Sequence, residues 1–433
     1  MSDGPRVLSP DRSQLYWDMV DLESQIEAGH LARVVWAFVE TLDLSALYAA
    51  IRARDEVAGR PTADPRVLLA LWLYATAEGV GSARALERLC RSHCAYRWLL
   101  GGVPVNYHGL SDFRAGHGEI LDRVLSESVA GLAAAGLIDL EEVAADGTKV
   151  AANAGRGSFR GAAGLGRFER AARERVERLR AELAAEPAAS ERRRRAARER
   201  AARDVAARAE AARRKLAALQ EEKQRRAKTH PQEEAAKKEP QVSTTDPQAR
   251  IMRMADGSFR PAYNVIVSAT PAAQVVLGIA VSDRRNDVGI AGSVIETIAA
   301  RFGRAPARLL LDTRAATRDD IVAMATRAGD PVTVYSPPPP RSEQALPDSI
   351  RKLEWRRRNE PPAVATWRAR MATAQGRAIY ARRRSIETIN ADLKNHGLRR
   401  FFLRGLNKVR CEALLHAIAH NLRRASTLGH AWA

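Results

Sequence analysis

Four polar residues near the C-terminal end of the chain have types and spacings that suit phosphodiester chemistry: Tyr380, Arg383, Glu387 and Lys394. They follow one another at intervals of three, four and seven residues, so in a helix their side chains would project from nearly one face. The apolar residues Ile386, Ile389 and Leu393 would lie on another face and pack on a core. A carboxylate beside an arginine and a lysine could bind a divalent cation and a phosphate together.

This chemistry requires more carboxylates than the one at Glu387. A cation neutralises the charge that develops at the phosphate and lowers the pKa of an attacking water, but one carboxylate binds Mg²⁺ weakly, so others must come from elsewhere in the chain. The alternative is an amphipathic surface helix in which Glu387 pairs with Arg383 or Lys394. These residues alone leave both interpretations open.

The charge balance of the chain indicates a polyanionic partner. Its 433 residues carry a formal net charge of +19, with a sequence pI near 10.5, and the excess is largest in the C-terminal part. Nucleic acid fits this balance, whereas a membrane-surface protein would show a basic amphipathic helix with aromatic anchors. A hydrophobic content of 45% can fill the cores of two or three domains and excludes a disordered protein.

The cysteines and the apolar runs predict a cytoplasmic protein. The three cysteines, Cys90, Cys94 and Cys411, provide no disulfide framework, which is typical of a reducing compartment. The first residues lack the pattern of a signal peptide, and no apolar run is long enough to span a membrane. With the charge, this predicts a nucleoid-associated protein without a membrane partner.

Residues 1–136 are predicted to form a helical domain. Asp64, followed by a proline, should cap a helix that is apolar nearly all round, and Ser82 should cap a basic helix after it. A third cap at Ser111 should begin a helix that continues to Leu137. Short basic helices joined by tight turns suit the major groove of DNA, but a plain helical bundle with a solvated basic face fits the same pattern.

A possible metal site in this domain is better explained by packing. Cys90, His93 and Cys94 fall within one helical turn, but a structural zinc needs four ligands and no second pair follows at a suitable distance. We therefore expect these cysteines to be thiols on a core helix.

The pattern changes to strands from Glu141 onwards. Residues 143–151 predict a short strand and a turn, with Asp146 at the exposed end, although Asp-Gly is common in ordinary turns. Residues 165–240 are rich in Ala, Arg and Glu and predict a charged helical hairpin broken near Pro187. A β-hairpin over residues 263–282 should then extend the sheet.

A second carboxylate is expected where a buried strand ends. A helix over residues 288–302 leads into an apolar strand that ends at Asp312, which places this carboxylate at the C-terminal edge of the sheet, where α/β sites form. The rival carboxylates are Asp283 and Asp287, in a strand-to-helix turn, and Asp319 and Asp320, in the first turn of a helix. A strand over residues 331–335 should complete the sheet.

The spacing of Tyr380, Arg383, Glu387 and Lys394 resembles the signature around the last acidic residue of bacterial insertion-sequence DDE transposases, with all four positions matched. Further similarity to this family lies at residues 65–74, 82–84, 111–114, 146–149, 245–250, 252–253, 263–264, 397–401, 404–406 and 421–422. The resemblance extends over nearly the whole chain except the helical insertion.

The resemblance implies an α/β fold: an RNase H-like mixed-sheet catalytic core with an N-terminal all-helical domain and a charged helical-hairpin insertion. It also implies that Asp146, Asp312 and Glu387 are the catalytic metal ligands and hold two Mg²⁺ or Mn²⁺ ions. The implied contacts with double-stranded DNA, both element ends and target, come from Tyr380, Arg383, Lys394, Arg399 and Arg400. Strand cleavage and strand transfer would take place in a homodimer or higher oligomer on DNA.

The predicted domains are residues 1–136, which bind DNA; 137–164 and 241–425, which form the core; 165–240, the insertion; and 426–433, a tail. One departure from the family is Thr313-Arg314-Ala315, where small residues and a tyrosine usually follow the second aspartate. Two alternatives therefore stay open: an RNase H-like nuclease that cuts without joining, and a non-catalytic DNA-binding remnant of a transposase.

Overall fold

The structure is a computed structural model that describes residues 13, 19, 21–51, 62–184, 189–229, 231–232, 238–338 and 360–432. Its N-terminal region is helical, as predicted. After a short 3₁₀ turn at Glu23–Gln25, the helices are α1 (Leu31–Glu40), α2 (Ser45–Ala49), α3 (Pro65–Ala77), α4 (Ala83–Ser92), α5 (Cys94–Leu100), α6 (Tyr107–Gly116) and α7 (Gly118–Ala134).

Two of the three predicted helix caps are confirmed. The side chain of Asp64 accepts a hydrogen bond from the backbone N–H of Arg66 at the start of α3, and Ser82 accepts one from Ala85 at the start of α4. The prediction for Ser111 is wrong, because this residue lies inside α6, whose cap is Asn106. The single helix expected to reach Leu137 is also wrong, because the chain leaves helical geometry at His117 and α7 ends at Ala134.

The strands form a six-stranded mixed sheet. Its members are β1 (Glu142–Ala151), β4 (Arg250–Arg253), β5 (Phe259–Ala269), β6 (Val276–Ser282), β7 (Arg308–Leu310) and β8 (Thr333–Tyr335), while β2 (Phe159–Arg160) and β3 (Val242–Ser243) pair separately. The order is β4-β5-β1-β7-β8, with β6 also on β5. Strand β1 is antiparallel to β5 and parallel to β7, so a helical region beside a mixed α/β sheet is confirmed.

The predicted insertion forms two long helices, α8 (Ala162–Ala184) and α9 (Ala189–Thr229). Leu165 packs with Leu216 near one end of the pair, and Leu179 packs with Ala202 near the other. These contacts run in opposite directions along the two helices, so α8 and α9 are antiparallel, as expected. The predicted break at Pro187 lies outside the described residues.

The remaining helices are α10 (Ala291–Phe302), α11 (Arg318–Ala325), α12 (Pro362–Ala372), α13 (Ala374–Ala381), α14 (Arg384–Asn395) and α15 (Leu406–Thr427). Helix α15 is buried along most of its length and packs on α3, α6, α7 and β6. One hydrophobic core extends from Ile26 in the N-terminal region to Ala425 in α15. The N-terminal helices and the sheet are therefore joined by shared apolar packing.

The helices in the described part of the chain offer no candidate for a membrane span, since none is both long and apolar enough. The longest of them, α9, is rich in arginine.

Asn421 provides a test of how α15 is attached to the sheet. Its side chain is buried, accepts a hydrogen bond from Val276 N (2.8 Å) and donates to Val276 O (2.8 Å) and Ser128 Oγ (3.3 Å). We expect Asn421→Ala to lower the free energy of unfolding by about 3 kcal/mol, because the backbone groups of Val276 lose their partner in a dry environment. The measurement is urea unfolding.

The matched control is Asn407→Ala, an exposed asparagine near the start of the same helix. It should stay within about 0.5 kcal/mol of wild type. Equal effects of the two substitutions would contradict the attachment through Asn421.

Candidate active site

The centre of the site is the guanidinium of Arg383, which joins strand β1 to helix α14. One nitrogen lies 3.0 Å from Asp146 Oδ1 and another lies 3.1 Å from Glu387 Oε1. Arg383 is 8% exposed, so this charge is largely withdrawn from water. Asn390, one turn beyond Glu387, donates to Asp146 Oδ2 (3.3 Å). The site thus brings together residues that are more than 230 positions apart in the sequence.

The sequence predicted that the four spaced residues lie on one continuous helix, and this prediction is wrong. Helix α13 ends at Ala381, and α14 begins at Arg384 after a tight helical turn, so Tyr380 and Glu387 lie on different helices. Both still face Arg383 and line one cavity of about 430 Å³. The predicted packing face is confirmed, because Ile386, Ile389 and Leu393 are buried.

Asp146 was predicted at the exposed end of a strand, and this prediction is wrong. The residue lies in the middle of β1, opposite Val267 of β5. Successive side chains of a strand point to opposite faces, so Asp146 faces Arg383 while Gly147 faces away. A Cβ atom on Gly147 would lie 2.0 Å from an oxygen of Asp287. The dipeptide therefore lies within a strand and forms no turn, and any side chain at Gly147 would have to displace the carboxylate of Asp287.

Asp312 follows β7 at the C-terminal edge of the sheet, as predicted, and is exposed. Its Oδ1 accepts a hydrogen bond from Thr313 N (2.7 Å), and its carbonyl oxygen accepts one from Ala315 N (3.0 Å). The residue between them, Arg314, has a φ of 95°, a conformation that costs free energy for any residue with a Cβ atom. The departure from the family therefore coincides with a strained turn beside the candidate site.

The electrostatics connect all three predicted carboxylates to one cation. Burial raises the pKa of the Asp146 carboxyl above its usual range; Arg383 opposes this shift, and Asp312 adds to it. Burial alone would lower the pKa of Arg383, but Asp146, Asp312, Tyr380 and Glu387 raise it. Burial also raises the pKa of Tyr380. One guanidinium therefore lies within electrostatic reach of Asp146, Asp312 and Glu387.

Most rival carboxylates have other partners. Asp283 pairs with Lys215 (2.5 Å) and Arg250 (3.6 Å), and Asp320 closes a capping box with Thr317. Asp287 pairs with Lys149 (3.3 Å) and accepts a hydrogen bond from Asn264.

The other basic residues lie between the middle of β1 and its C-terminal end. Asp146 raises the pKa of Lys394, although burial lowers it overall, so the ammonium is near that carboxylate. Residues 399–401 run beside the last residue of β1: Ala151 N donates to Arg399 O (3.1 Å), and Phe401 N donates to Ala151 O (2.9 Å). Arg399 and Arg400 are exposed there.

The types of donor at the site, although not their present grouping, fit a divalent cation. In the described ranges, no three His, Cys, Asp or Glu side chains are grouped so that they could hold a metal ion, and this includes Cys90, His93 and Cys94. The donor types nevertheless fit Mg²⁺ or Mn²⁺, since carboxylate oxygens are their usual ligands. Beside Asp146, the buried Oδ1 of Asn390 also has no hydrogen-bond partner. In this structure the Arg383 guanidinium supplies the positive charge between Asp146 and Glu387.

Asn390 was not among the site residues predicted from the sequence, and Asp287 was predicted only as a rival ligand. Asn390 lies three residues after Glu387, a helical spacing that could have indicated a shared face. Asp392 was also overlooked, and it is held by Arg423 (2.5 Å) and His420 (2.6 Å) away from the candidate site.

The fold and the site define a chain with a helical N-terminal region, a mixed sheet and acidic residues around one buried arginine. Comparison with protein families gives two matches: residues 20–116 match a transposase domain, and residues 344–426 match a transposase DDE domain. These matches support an insertion-sequence DDE transposase, as the sequence predicted. A search of curated proteins and a search of solved structures gave no match.

The role of Arg383 as the internal counter-charge can be tested by Arg383→Gln. We expect the free energy of unfolding at pH 8 to fall by about 2 kcal/mol, because several carboxylates lose their partner. Without the guanidinium the pKa of Asp146 rises further, so the deficit should shrink as the pH falls towards 4. Millimolar Mg²⁺ should stabilise the variant more than wild type. Urea unfolding at both pH values, with and without Mg²⁺, measures this.

Arg384→Gln is the matched control, because Arg384 is the exposed neighbour of Arg383. A deficit that does not change between pH 8 and pH 4 would contradict the ionic role of Arg383.

The strain at Arg314 predicts that glycine is preferred there. Arg314→Gly should be about 1 kcal/mol more stable than Arg314→Ala, since only glycine adopts this φ without a steric cost. Thermal unfolding of both variants tests this, and equal midpoints would mean that the turn carries no strain.

Proposed function

We propose that the protein is an insertion-sequence transposase that binds the ends of its element and catalyses metal-dependent strand cleavage and strand transfer. The observation that carries this proposal is the contact of one buried arginine with both Asp146 and Glu387, with Asp312 in electrostatic reach. Two matches to transposase domains, at opposite ends of the chain, support the same function.

The proposed catalytic core is RNase H-like and consists of residues 137–164 and 241–425. It is supported by β1 lying between antiparallel β5 and parallel β7, with α14, the helix that carries Glu387, packed on β1. Residues 165–240 would be an insertion, and residues 426–433 a tail.

Residues 1–136 would recognise the element ends. Helix α4 supports this role, because Arg84, Arg88 and Arg91 are exposed on it. Such a row of cations can contact the phosphates that flank a groove. The protein would act as a homodimer or higher oligomer on DNA, in the cytoplasm and associated with the nucleoid.

Asp146, Asp312 and Glu387 would hold the metal ions, for which we propose two Mg²⁺ or Mn²⁺. Bound there, the ions would lower the pKa of an attacking water or 3′-hydroxyl and neutralise the leaving oxygen. Because Arg383 contacts two of these carboxylates, it neutralises them when no cation does. Once the metal ions neutralise these carboxylates, Arg383 would be available to bind the scissile phosphate.

The other basic residues would hold the DNA. Lys394 has no ion-pair partner among the described residues and lies near Asp146, so its ammonium suits a phosphate at the reacting centre. Arg399 and Arg400 are exposed at the end of β1, where they would contact the backbone further along. Tyr380, in the cavity beside Glu387, would contact the backbone next to the scissile bond.

The experiment that tests the function uses a labelled duplex that carries the element's own end, incubated with the protein and Mg²⁺ or EDTA. We expect nicked and joined products with Mg²⁺ alone. Glu387→Ala and Asp146→Ala should each reduce them by at least about 100-fold, because the metal site loses a ligand. Products are measured on denaturing gels.

Asp319→Ala is the matched control, since Asp319 is an exposed aspartate in the first turn of α11. It should cleave as wild type does. Metal-dependent nicks without joined products would favour a nuclease of the same fold. A wild-type protein that binds the duplex but never cuts it would favour a non-catalytic remnant.

A further inference from the structure

A basic cavity lies between the end of α9 and the edge of the sheet. It has a volume of about 550 Å³ and is bordered by α9, β4, the segment before β3, the loop after β6, and the short 3₁₀ turn (Arg156–Ser158) that leads into β2. Six cationic side chains of the described residues line it: Arg156, Lys223, Arg226, Lys238, Arg250 and Arg285. Of the described residues that line the cavity, two are carboxylates, Glu222 and Glu239.

Three of these cations have partners. Lys223 pairs with Glu239 (2.8 Å), Arg226 pairs with Glu222 (2.7 Å), and Arg250 pairs with Asp283 (3.6 Å).

The other three cations, Arg156, Lys238 and Arg285, make no ion pair with any residue that the structure describes. Burial lowers the pKa of the Arg285 guanidinium, and the like charge of Arg250 lowers it further. Among the described residues, positive charges thus outnumber the carboxylates that line this cavity.

The walls of the cavity are fixed to each other. Lys215 of α9 pairs with Asp283 (2.5 Å) after β6, and Val242 of β3 packs on Leu216 and Leu219 of α9. The loop that holds Asp283 and Arg285 also carries Asp287, whose carboxylate packs over Gly147 next to Asp146. The cavity and the candidate active site are therefore connected through one short loop.

The lining favours a polyanion over a small apolar ligand, because pockets for small molecules are mostly apolar with a few polar groups. The insertion around the cavity is also positively charged. Residues 165–240 contain 23 Lys and Arg against 14 Asp and Glu, which is a net charge of +9. This charge attracts anions to the cavity. We infer that this cavity is a second DNA contact, in which Arg156, Lys238 and Arg285 bind phosphates of the duplex backbone. This inference concerns binding alone and does not require the carboxylates to be catalytic.

The test measures binding of the full chain to a fluorescent duplex of arbitrary sequence across a range of salt concentrations. Arg156→Gln combined with Arg285→Gln should weaken binding about 10-fold near 0.1 M salt. It should also reduce the slope of log K against log salt by about 1 to 2, since each lost phosphate contact removes about 0.9. Arg156→Lys with Arg285→Lys should keep most of the affinity.

The matched control is Arg175→Gln with Arg178→Gln, two exposed arginines of α8 outside the cavity. It lowers the net charge equally and should leave the slope unchanged. In the wild-type protein, bound duplex should also protect Lys238 from acetylation, measured by mass spectrometry, which does not depend on a variant folding.

The inference is overturned if both glutamine pairs weaken binding equally, if the cavity pair binds as wild type does, or if Lys238 is not protected. If the cavity does not bind DNA but metal-dependent cleavage is intact, the inference fails and the proposed function stands. If the cavity binds DNA as expected but the protein does not cleave it, the inference stands and the proposed function fails.

Discussion

The candidate site depends on the ion pairs that the buried guanidinium of Arg383 forms with two carboxylates. Its carboxylate partners come from a central strand and from a helix near the other end of the chain. Because a half-buried Asp146 without a cation would be costly, the arginine holds β1 and α14 in one arrangement. The apolar side of α14 supplies the complementary force, since Ile386, Ile389 and Leu393 are buried against the sheet.

Helix α15 extends this arrangement to the rest of the molecule. It is buried among the N-terminal helices on one side and β6 on the other, and Asn421 satisfies the backbone of Val276 from within it. Asp392, at the far end of α14, binds His420 and Arg423 of α15. The packing that orients Glu387 is thus continuous with the packing of the N-terminal helices.

The insertion is attached to the sheet near the candidate site. Lys215 binds Asp283, and the same loop brings Asp287 over Gly147. The small residue beside Asp146 leaves room for the carboxylate of Asp287. In this position Asp287 also forms its ion pair with Lys149. The cationic cavity lies at this attachment. The DNA contact that we infer there would give the insertion a role in holding DNA, in keeping with its excess of arginine.

The sequence by itself determined the types of the main elements, because helix caps and apolar periodicity are local. It also determined the position of Asp312, since a short apolar run that ends in aspartate marks the edge of a sheet. Only the tertiary structure decided that Asp146 lies mid-strand, because Asp-Gly fits a turn equally well until Asp287 packs over Gly147. The break between α13 and α14, the role of Asn390 and the burial of Arg383 depend on packing between distant segments, which no local pattern records.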